Sequence, residues 1–207
     1  MPGRADTYLS IAAPHNLICR RGVFRMTARI HPTTSTNTPE ATKPLLAQLK
    51  ASLGMVPVLY ATIGHSPGTL QAYLAWGTAI GNGPLSKREI ELLNIHVSEL
   101  NGCGYCLAAH ALVGANVGLS ESDIEAARSG TGTNAREAAL LALARRVVRT
   151  GGAGSGADLA RAREAGLSDA QIVDALAVVA IRSFTNAVAI VAQTEIDFPK
   201  VPRMPGE

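Results

Sequence analysis

A helix-start signal repeats three times from residue 85 onward, with Leu-Ser followed by an acid or amide three residues after the serine, and then by isoleucine. The three copies begin at Leu85, Leu119 and Leu167. In each copy the serine oxygen can accept a hydrogen bond from a first-turn N–H group, while the acid or amide reaches back to the serine N–H. We interpret them as independent caps, with a helical repeat as the alternative. Asn134 with Glu137 predicts a fourth cap.

These caps help to divide the chain into nine predicted helices, which we place at 42–53, 57–64, 67–80, 86–100, 103–117, 121–128, 135–149, 157–165 and 169–194. The last range allows a break near Ser183. Helix ends that need a residue tolerant of positive φ coincide with glycines, namely Gly54, Gly118, Gly130 and Gly166. An apolar fraction of 47% with only 4% aromatic residues suits an aliphatic, alanine-rich core, and no strand pair is recognisable. We therefore predict a compact, all-α, multi-helix fold.

Composition divides the chain into three parts. Residues 1–41 are polar and rich in Thr and Pro towards their end, which predicts a disordered or extended N-terminal arm. Residues 42–198 contain the predicted helices and form one domain, which is long enough to bury a sizeable core. Residues 199–207 contain three prolines and predict an extended C-terminal tail.

The net charge of +3 belongs mainly to the arm, because residues 1–30 hold five arginines and one acid. The remainder is close to neutral, so we expect no nucleic-acid partner. No apolar run approaches the roughly 20 residues of a membrane span, and the first residues lack the apolar core of a secretory signal. We therefore expect no membrane association, and cytoplasm is the default localisation.

Two of the three cysteines lie in a motif, Cys103-Gly104-Tyr105-Cys106-x-x-x-His110, whereas Cys19 lies in the polar arm. On one helix these two cysteines and the histidine fall within an arc of roughly 60°. Asn101-Gly102 can end the previous helix and cap the next one, whose first turn favours a thiolate. His110 follows Cys106 by one turn, so spacing makes Cys106 the thiol that the imidazole helps most.

The helix before the motif is apolar around most of its circumference, which predicts that Glu91 is buried. A buried carboxylate either pairs or has a raised pKa, and this one could relay protons to the thiols. The alternative is that Glu91 pairs with an arginine or reaches solvent. We expect His96 to be a packed or interface histidine and Glu99 to be a proton acceptor or an ion-paired carboxylate. We expect helix 67–80 to be ordinary core more than the wall of a pocket or an interface.

The arrangement of Glu91, eleven residues, Cys103-x-x-Cys106-x-x-x-His110 resembles the motif of the alkylhydroperoxidase D family, within the carboxymuconolactone decarboxylase-like superfamily. The surrounding LSKREIELLNIHVSELNGCGYCLAAH is similar to that family's core, and weaker similarity spans roughly residues 42–198. The resemblance implies an all-helical fold that assembles into trimers or hexamers. It also implies peroxide reduction, with Cys106 as the peroxidatic thiol, Cys103 as the resolving thiol, and Glu91 and His110 as proton shuttles.

The sequence departs from one branch of that family at Tyr105, where the branch has a histidine, and tyrosine cannot titrate near neutrality. The implied partners are a peroxide and a thiol or dithiol reductant protein. No dinucleotide fingerprint is present, so we expect no bound NAD or flavin and no other cofactor.

Four alternatives stay open. The same two cysteines would serve a disulfide oxidoreductase. The decarboxylase branch acts on a lactone acid, which needs no thiol pair. A structural zinc site could use Cys103, Cys106, His110 and His96, although a metal is not expected in a chain with an ample helical core. A non-catalytic assembly protein could also retain the fold. A thioredoxin-like reading is excluded because no βαβ pattern surrounds the motif.

Overall fold

The computed structural model describes residues 28–201, and within that range the chain forms nine α-helices and no strand. A single 3-10 turn, Glu40–Thr42, precedes the first helix. The helices are α1 Lys43–Leu53, α2 Val58–Ile63, α3 Pro67–Gly81, α4 Lys87–Leu100, α5 Gly104–Asn116, α6 Glu121–Ser129, α7 Ala135–Thr150, α8 Gly156–Glu164 and α9 Asp169–Ala192.

The helix boundaries follow the local signals in the sequence. All nine predicted ranges lie within two residues of an observed helix at each end, and the all-α fold is confirmed. Each of the three serines forms a complete capping box, and the Asn134 side chain accepts a hydrogen bond from Glu137 N at 3.0 Å. The break near Ser183 is wrong, because α9 continues without interruption through an apolar stretch that is packed along its length.

Replacing Ser168 by alanine tests the energetic contribution of these caps. The Ser168 hydroxyl accepts from Gln171 N at 3.3 Å, so its loss leaves a first-turn N–H group without its partner. We expect the free energy of unfolding to fall by about 1 kcal/mol, measured by urea denaturation. Ser155→Ala is the matched control, because Ser155 precedes α8 without a side-chain cap and its loss is expected to be nearly neutral. An equal fall in the free energy of unfolding in the two variants would show that the side-chain cap of Ser168 does not stabilise α9.

Helix α4 lies at the centre of the fold and packs against α5, α6, α7 and α9. Its buried side chains join those of α7 and α9 in the larger of two hydrophobic clusters, which includes Leu92, Leu141 and Val178. The smaller cluster contains Leu59 from α2 and Leu70 from α3, together with the residues of the cysteine motif. The motif therefore begins just after the central helix ends and packs against side chains of α2, α3 and α9.

Helix α9 changes one sequence expectation, namely that no apolar run approaches the length of a membrane span. Asp169–Ala192 is long and apolar enough to cross a membrane, and it is the one such helix among residues 28–201. Half of its most apolar 18-residue stretch is buried inside the fold. There the helix contacts α2, α3, α4, α5 and α7. The length of this helix is therefore explained by its place in the core.

The ends of the described chain are attached to the helical body. Backbone N–H groups of Arg29 and Thr33 donate to the carbonyls of Ala192 and Ala61, at 2.8 and 3.2 Å. At the other end, Val201 packs against the larger hydrophobic cluster, although it lies in the predicted tail. The rest of the predicted arm and tail, residues 1–27 and 202–207, with Cys19 among them, lies outside the described residues.

Candidate active site

The two cysteines of the motif lie at the start of α5, immediately after the turn that ends α4. Cys103 precedes the helix and is itself the cap, since its sulfur accepts a hydrogen bond from Cys106 N at 3.3 Å. The sequence assigned this capping role to Asn101-Gly102, which instead forms the turn. Both cysteines are free thiols, and their exposed fractions are only 2% and 1%. The fold therefore brings two reduced, buried thiols together in one helical turn.

The two thiols compete for a single negative charge. The thiol of Cys106 donates to the sulfur of Cys103, and this hydrogen bond, helped by backbone N–H groups, lowers the pKa of Cys103. The same bond and burial raise the pKa of Cys106. The nearby guanidinium of Arg182 favours the thiolate form of both. These directions favour the thiolate on Cys103, whereas the spacing of His110 predicted that Cys106 would benefit most.

Glu91 of α4 and His110 of α5 form a buried pair, with Oε2 and Nδ1 2.7 Å apart. Burial lowers the pKa of His110, with a further contribution from Arg182, so the imidazole is neutral near pH 7. Burial alone would raise the pKa of Glu91, but His110, Arg182 and Asn94 together lower it. We conclude that Nδ1–H of the imidazole donates to the Glu91 carboxylate, which leaves Nε2 as a base. Within residues 28–201 no hydrogen bond joins His110 to either thiol.

Arg182 of α9 is a site residue that the sequence reasoning missed. Its side chain is buried and donates from Nε to Asn94 Oδ1 at 3.0 Å and from Nη1 to Thr185 Oγ1 at 3.1 Å. Asn94 in turn donates to Glu91 Oε1 at 3.0 Å, so the arginine is coupled to the Glu91–His110 pair. A signal was present in the sequence, because Arg182 is the one charged residue in the stretch 175–194.

Two cavities flank this site and have no lining residue in common. The first, which we name the cysteine cavity, measures about 800 Å³ and is lined by Cys103 together with residues such as Glu99, Asn101, Arg128, Ile196 and Lys200. The second, which we name the relay cavity, measures about 300 Å³. It is lined by Glu91, His110 and Arg182 and by apolar residues such as Gly77, Ile80, Val113 and Ile181.

Helix α3 forms one wall of the relay cavity through Tyr73 and Gly77. Only Leu70 and Ile80 of this helix are buried, and Trp76 is 43% exposed. The expectation that this segment is ordinary core is therefore wrong, because the helix lies on the surface and covers the site from one side.

Tyr105, the residue between the two cysteines, joins the motif to neighbouring segments. Its hydroxyl accepts from Leu59 N at 3.2 Å, and its ring packs edge-on against Phe198 with centroids 5.5 Å apart. Burial raises the pKa of Tyr105, with a further contribution from Asp197, so the phenol stays protonated. Its position explains how a tyrosine is accommodated there without an acid–base function.

Replacing Tyr105 by phenylalanine separates a structural role of the hydroxyl from an acid–base role. Leu59 N loses its acceptor, so we expect the free energy of unfolding to fall by about 1–2 kcal/mol in urea denaturation. The pH dependence of thiol alkylation by iodoacetamide should stay unchanged, because the phenol does not ionise in that range. Tyr105→His is the comparison variant, since an imidazole there introduces a titrating group. A shifted alkylation profile in Tyr105→Phe would contradict the structural role.

The structure does not bring together the four ligands of the zinc alternative. His96 lies in α4, not in α5, and its side chain is buried. Its Nδ1 donates to the carbonyl of Ala127 at 2.9 Å. Among residues 28–201, no group of three or more His, Cys, Asp or Glu side chains is arranged to hold a metal ion. The prediction that His96 is packed is confirmed, and Glu99 is ion-paired with Arg128 at 2.5 Å.

Comparison with known proteins supports this description of the fold. Residues 67–149 match the carboxymuconolactone decarboxylase family. The chain is 38% identical over 77 residues to alkyl hydroperoxide reductase AhpD of Azorhizobium caulinodans, covering 37% of this chain and 39% of that protein. It is 44% identical over 63 residues to the protein of the same name from Mycolicibacterium smegmatis, covering 29% of this chain and 35% of that protein. The chain thus matches well under half of the length of both relatives.

A solved structure extends the similarity beyond the matched segments. The alkylhydroperoxidase AhpD core of an uncharacterised peroxidase-related protein from Ralstonia eutropha superposes with a TM-score of 0.74 at 22% identity. That superposition covers 82% of this chain and 92% of the other. The matched segment is therefore similar to the carboxymuconolactone decarboxylase family, and the helical fold is that of the AhpD core structure.

Proposed function

We propose that this protein is a thiol-dependent peroxidase that reduces a hydroperoxide through a dithiol–disulfide cycle of Cys103 and Cys106. The observation that carries the proposal is a buried pair of free thiols in one helical turn, with the positive charge of Arg182 favouring the thiolate of each. A thiolate is the form that attacks a peroxide, and this environment favours one. The two relatives named alkyl hydroperoxide reductase AhpD support the same activity.

The proposed cycle begins with a proton transfer within the pair. Cys103 takes the thiol proton of Cys106, and the Cys106 thiolate attacks the distal oxygen of the hydroperoxide. The O–O bond breaks, Cys106 becomes a sulfenic acid, and the alkoxide leaves as an alcohol with a proton that comes from solvent and is passed on by Nε2 of His110, while Glu91 holds Nδ1–H. Cys103 then attacks the sulfenic sulfur, which releases water and forms the disulfide. A thiol or dithiol reductant returns two electrons and two protons and reopens the disulfide.

One observation favours a second arrangement of roles, with Cys103 as the attacking thiol. Its pKa is lowered, and it lines an open cavity, whereas Cys106 lines neither of the two cavities. The placement of Cys106 and His110 four residues apart on α5, on one helical face, supports the first arrangement. The two arrangements predict opposite behaviour for the single-serine variants, which are considered in the Discussion.

Several further properties form part of this proposal. The protein acts in the cytoplasm as a homo-oligomer, a trimer or a hexamer, with a thiol or dithiol protein as its reductant. Exposed apolar side chains on one helix support assembly, since Val173, Phe184, Ile190 and Val191 of α9 are between 36% and 62% exposed. Sedimentation of the purified chain measures the oligomeric state directly.

The test of the proposed function is a peroxide titration of the reduced protein in a Cys19→Ser background, which leaves only the two site thiols. We expect one equivalent of cumene hydroperoxide to consume both thiols and to yield one alcohol. Mass spectrometry should then find a peptide linked through Cys103 and Cys106. Thiols that ignore peroxide but exchange with small disulfides would indicate a disulfide oxidoreductase instead. Thiols that react with neither would refute both activities.

A further inference from the structure

The two cavities lie along different turns of α5. Cys103, Gly104 and Leu107 line the cysteine cavity, whereas His110, Val113 and Val117 line the relay cavity. The residues that hold the proposed proton relay therefore face a different space from the sulfur of Cys103. A substrate in one cavity does not occupy the other.

The relay cavity has the chemistry of a site for a small organic molecule with one polar end. Its apolar walls come from four helices and include Ile80, Ile90, Val178 and Ile181. Its polar groups are Glu91, His110, Asn94, Arg182, Tyr73 and Lys87. At about 300 Å³ it lies at the lower end of the volumes that bind small ligands. Apolar walls beside an acid–base pair suit the organic part of a hydroperoxide whose leaving oxygen must be protonated.

The cysteine cavity suits a different partner. It is larger, about 800 Å³, and its lining includes the charged side chains of Glu99, Arg128 and Lys200. Thiol–disulfide exchange requires a thiolate to approach one sulfur of the disulfide directly, and Cys103 is the site sulfur that this cavity reaches. An open, charged entrance of this size can admit the reactive end of a dithiol reductant.

Resting on the proposed peroxidase function, we propose that the oxidant and the reductant use separate entrances. The organic part of the hydroperoxide binds in the relay cavity, and the reductant attacks the disulfide at Cys103 through the cysteine cavity. The two half-reactions are therefore sensitive to side chains in different cavities. Hydrogen peroxide has no organic part, so its reaction does not depend on the apolar walls of the relay cavity.

Gly77 allows the relay cavity to be narrowed without touching the proposed catalytic residues. A Cβ atom built on Gly77 meets only Ile181 Cδ1, at 4.0 Å, so a larger side chain has room to project from α3. Gly77→Leu should lower the rate constant for cumene hydroperoxide about tenfold relative to that for hydrogen peroxide, because the space for the aromatic ring is lost. Gly68→Leu is the matched control, since it lies on the same helix, has open space around it and does not line the relay cavity.

Lys200→Trp provides the reverse test, because Lys200 is exposed and lines the cysteine cavity. The oxidised protein is mixed with dihydrolipoamide in a stopped-flow instrument, and the oxidation step is measured separately with each peroxide. We expect Lys200→Trp to slow disulfide reduction while leaving both peroxide rates within about twofold. Gly77→Leu should change the rate of disulfide reduction by no more than about twofold.

The outcomes distinguish this proposal from the function on which it rests. A wild-type protein that reacts with neither peroxide refutes the peroxidase function itself. A wild-type protein that reacts with both, but whose ratio of the two peroxide rates is the same in Gly77→Leu and Gly68→Leu, refutes only the separate entrances. A Gly77→Leu variant that slows disulfide reduction as strongly as cumene hydroperoxide reduction shows a single shared entrance and overturns the proposal.

Discussion

Cys106→Ser should lose at least about 1,000-fold in the rate of peroxide reduction if Cys106 is the attacking thiol, because a hydroxyl at that position cannot supply the thiolate nucleophile. Cys103→Ser should still react once, and the product should be a sulfenic acid on Cys106 that lacks its resolving partner. The measurement is single-turnover loss of peroxide, followed by mass spectrometry of the intact protein with a sulfenic-acid trapping reagent. Both variants are made in the Cys19→Ser background.

The opposite result would make Cys103 the attacking thiol and Cys106 the resolving thiol. Single-turnover activity in Cys106→Ser, with trapping of one oxygen on Cys103, would establish Cys103 as the attacking thiol, as its lowered pKa and its open cavity favour. The volume of the side chain changes little between cysteine and serine, so both variants are expected to fold. Circular dichroism and the urea midpoint serve as controls for an intact helical core.

Arg182→Met should reduce the free energy of unfolding by about 3–5 kcal/mol, since it removes a buried guanidinium that helps to balance the Glu91 carboxylate. Asn94 and Thr185 also lose their donor. The same guanidinium favours both thiolates, so its removal raises the pKa of Cys103. Alkylation at a fixed pH near 7 should then slow by about tenfold for each unit by which the pKa rises. Urea denaturation and iodoacetamide kinetics give the two readouts.

Arg163→Met is the control for a general loss of positive charge, because its pair with Asp169 is exposed and should contribute about 0–1 kcal/mol. If Arg182→Met does not fold, Arg182→Lys keeps the charge but cannot reproduce the two directed hydrogen bonds. That variant should retain most of the thiol reactivity and lose part of the stability. Wild-type alkylation rates in both Arg182 variants would refute an electrostatic role for this arginine.

Local signals determined the helices because capping is a property of a few adjacent residues. The serine caps and Asn134 accept bonds from N–H groups three positions away, and the glycines that end four helices have positive φ. The burial of Glu91 could likewise be predicted from one helix, since α4 is apolar around most of its circumference and most of its residues are buried. The prediction of a break near Ser183 was wrong because the helices that pack around α9 cannot be identified from its local sequence.

The sequence alone therefore determined the fold class, the helix boundaries and the spacing of Cys103, Cys106, His110 and Glu91, all of which depend on residues close together in the chain. Only the tertiary structure brought Arg182 to the site, because its bond to Asn94 joins residues 88 positions apart. It also lowered the pKa of Cys103 relative to that of Cys106 and separated the two cavities. These properties depend on burial, electric field and shape, which arise only when helices from distant parts of the chain pack around α4 and α5.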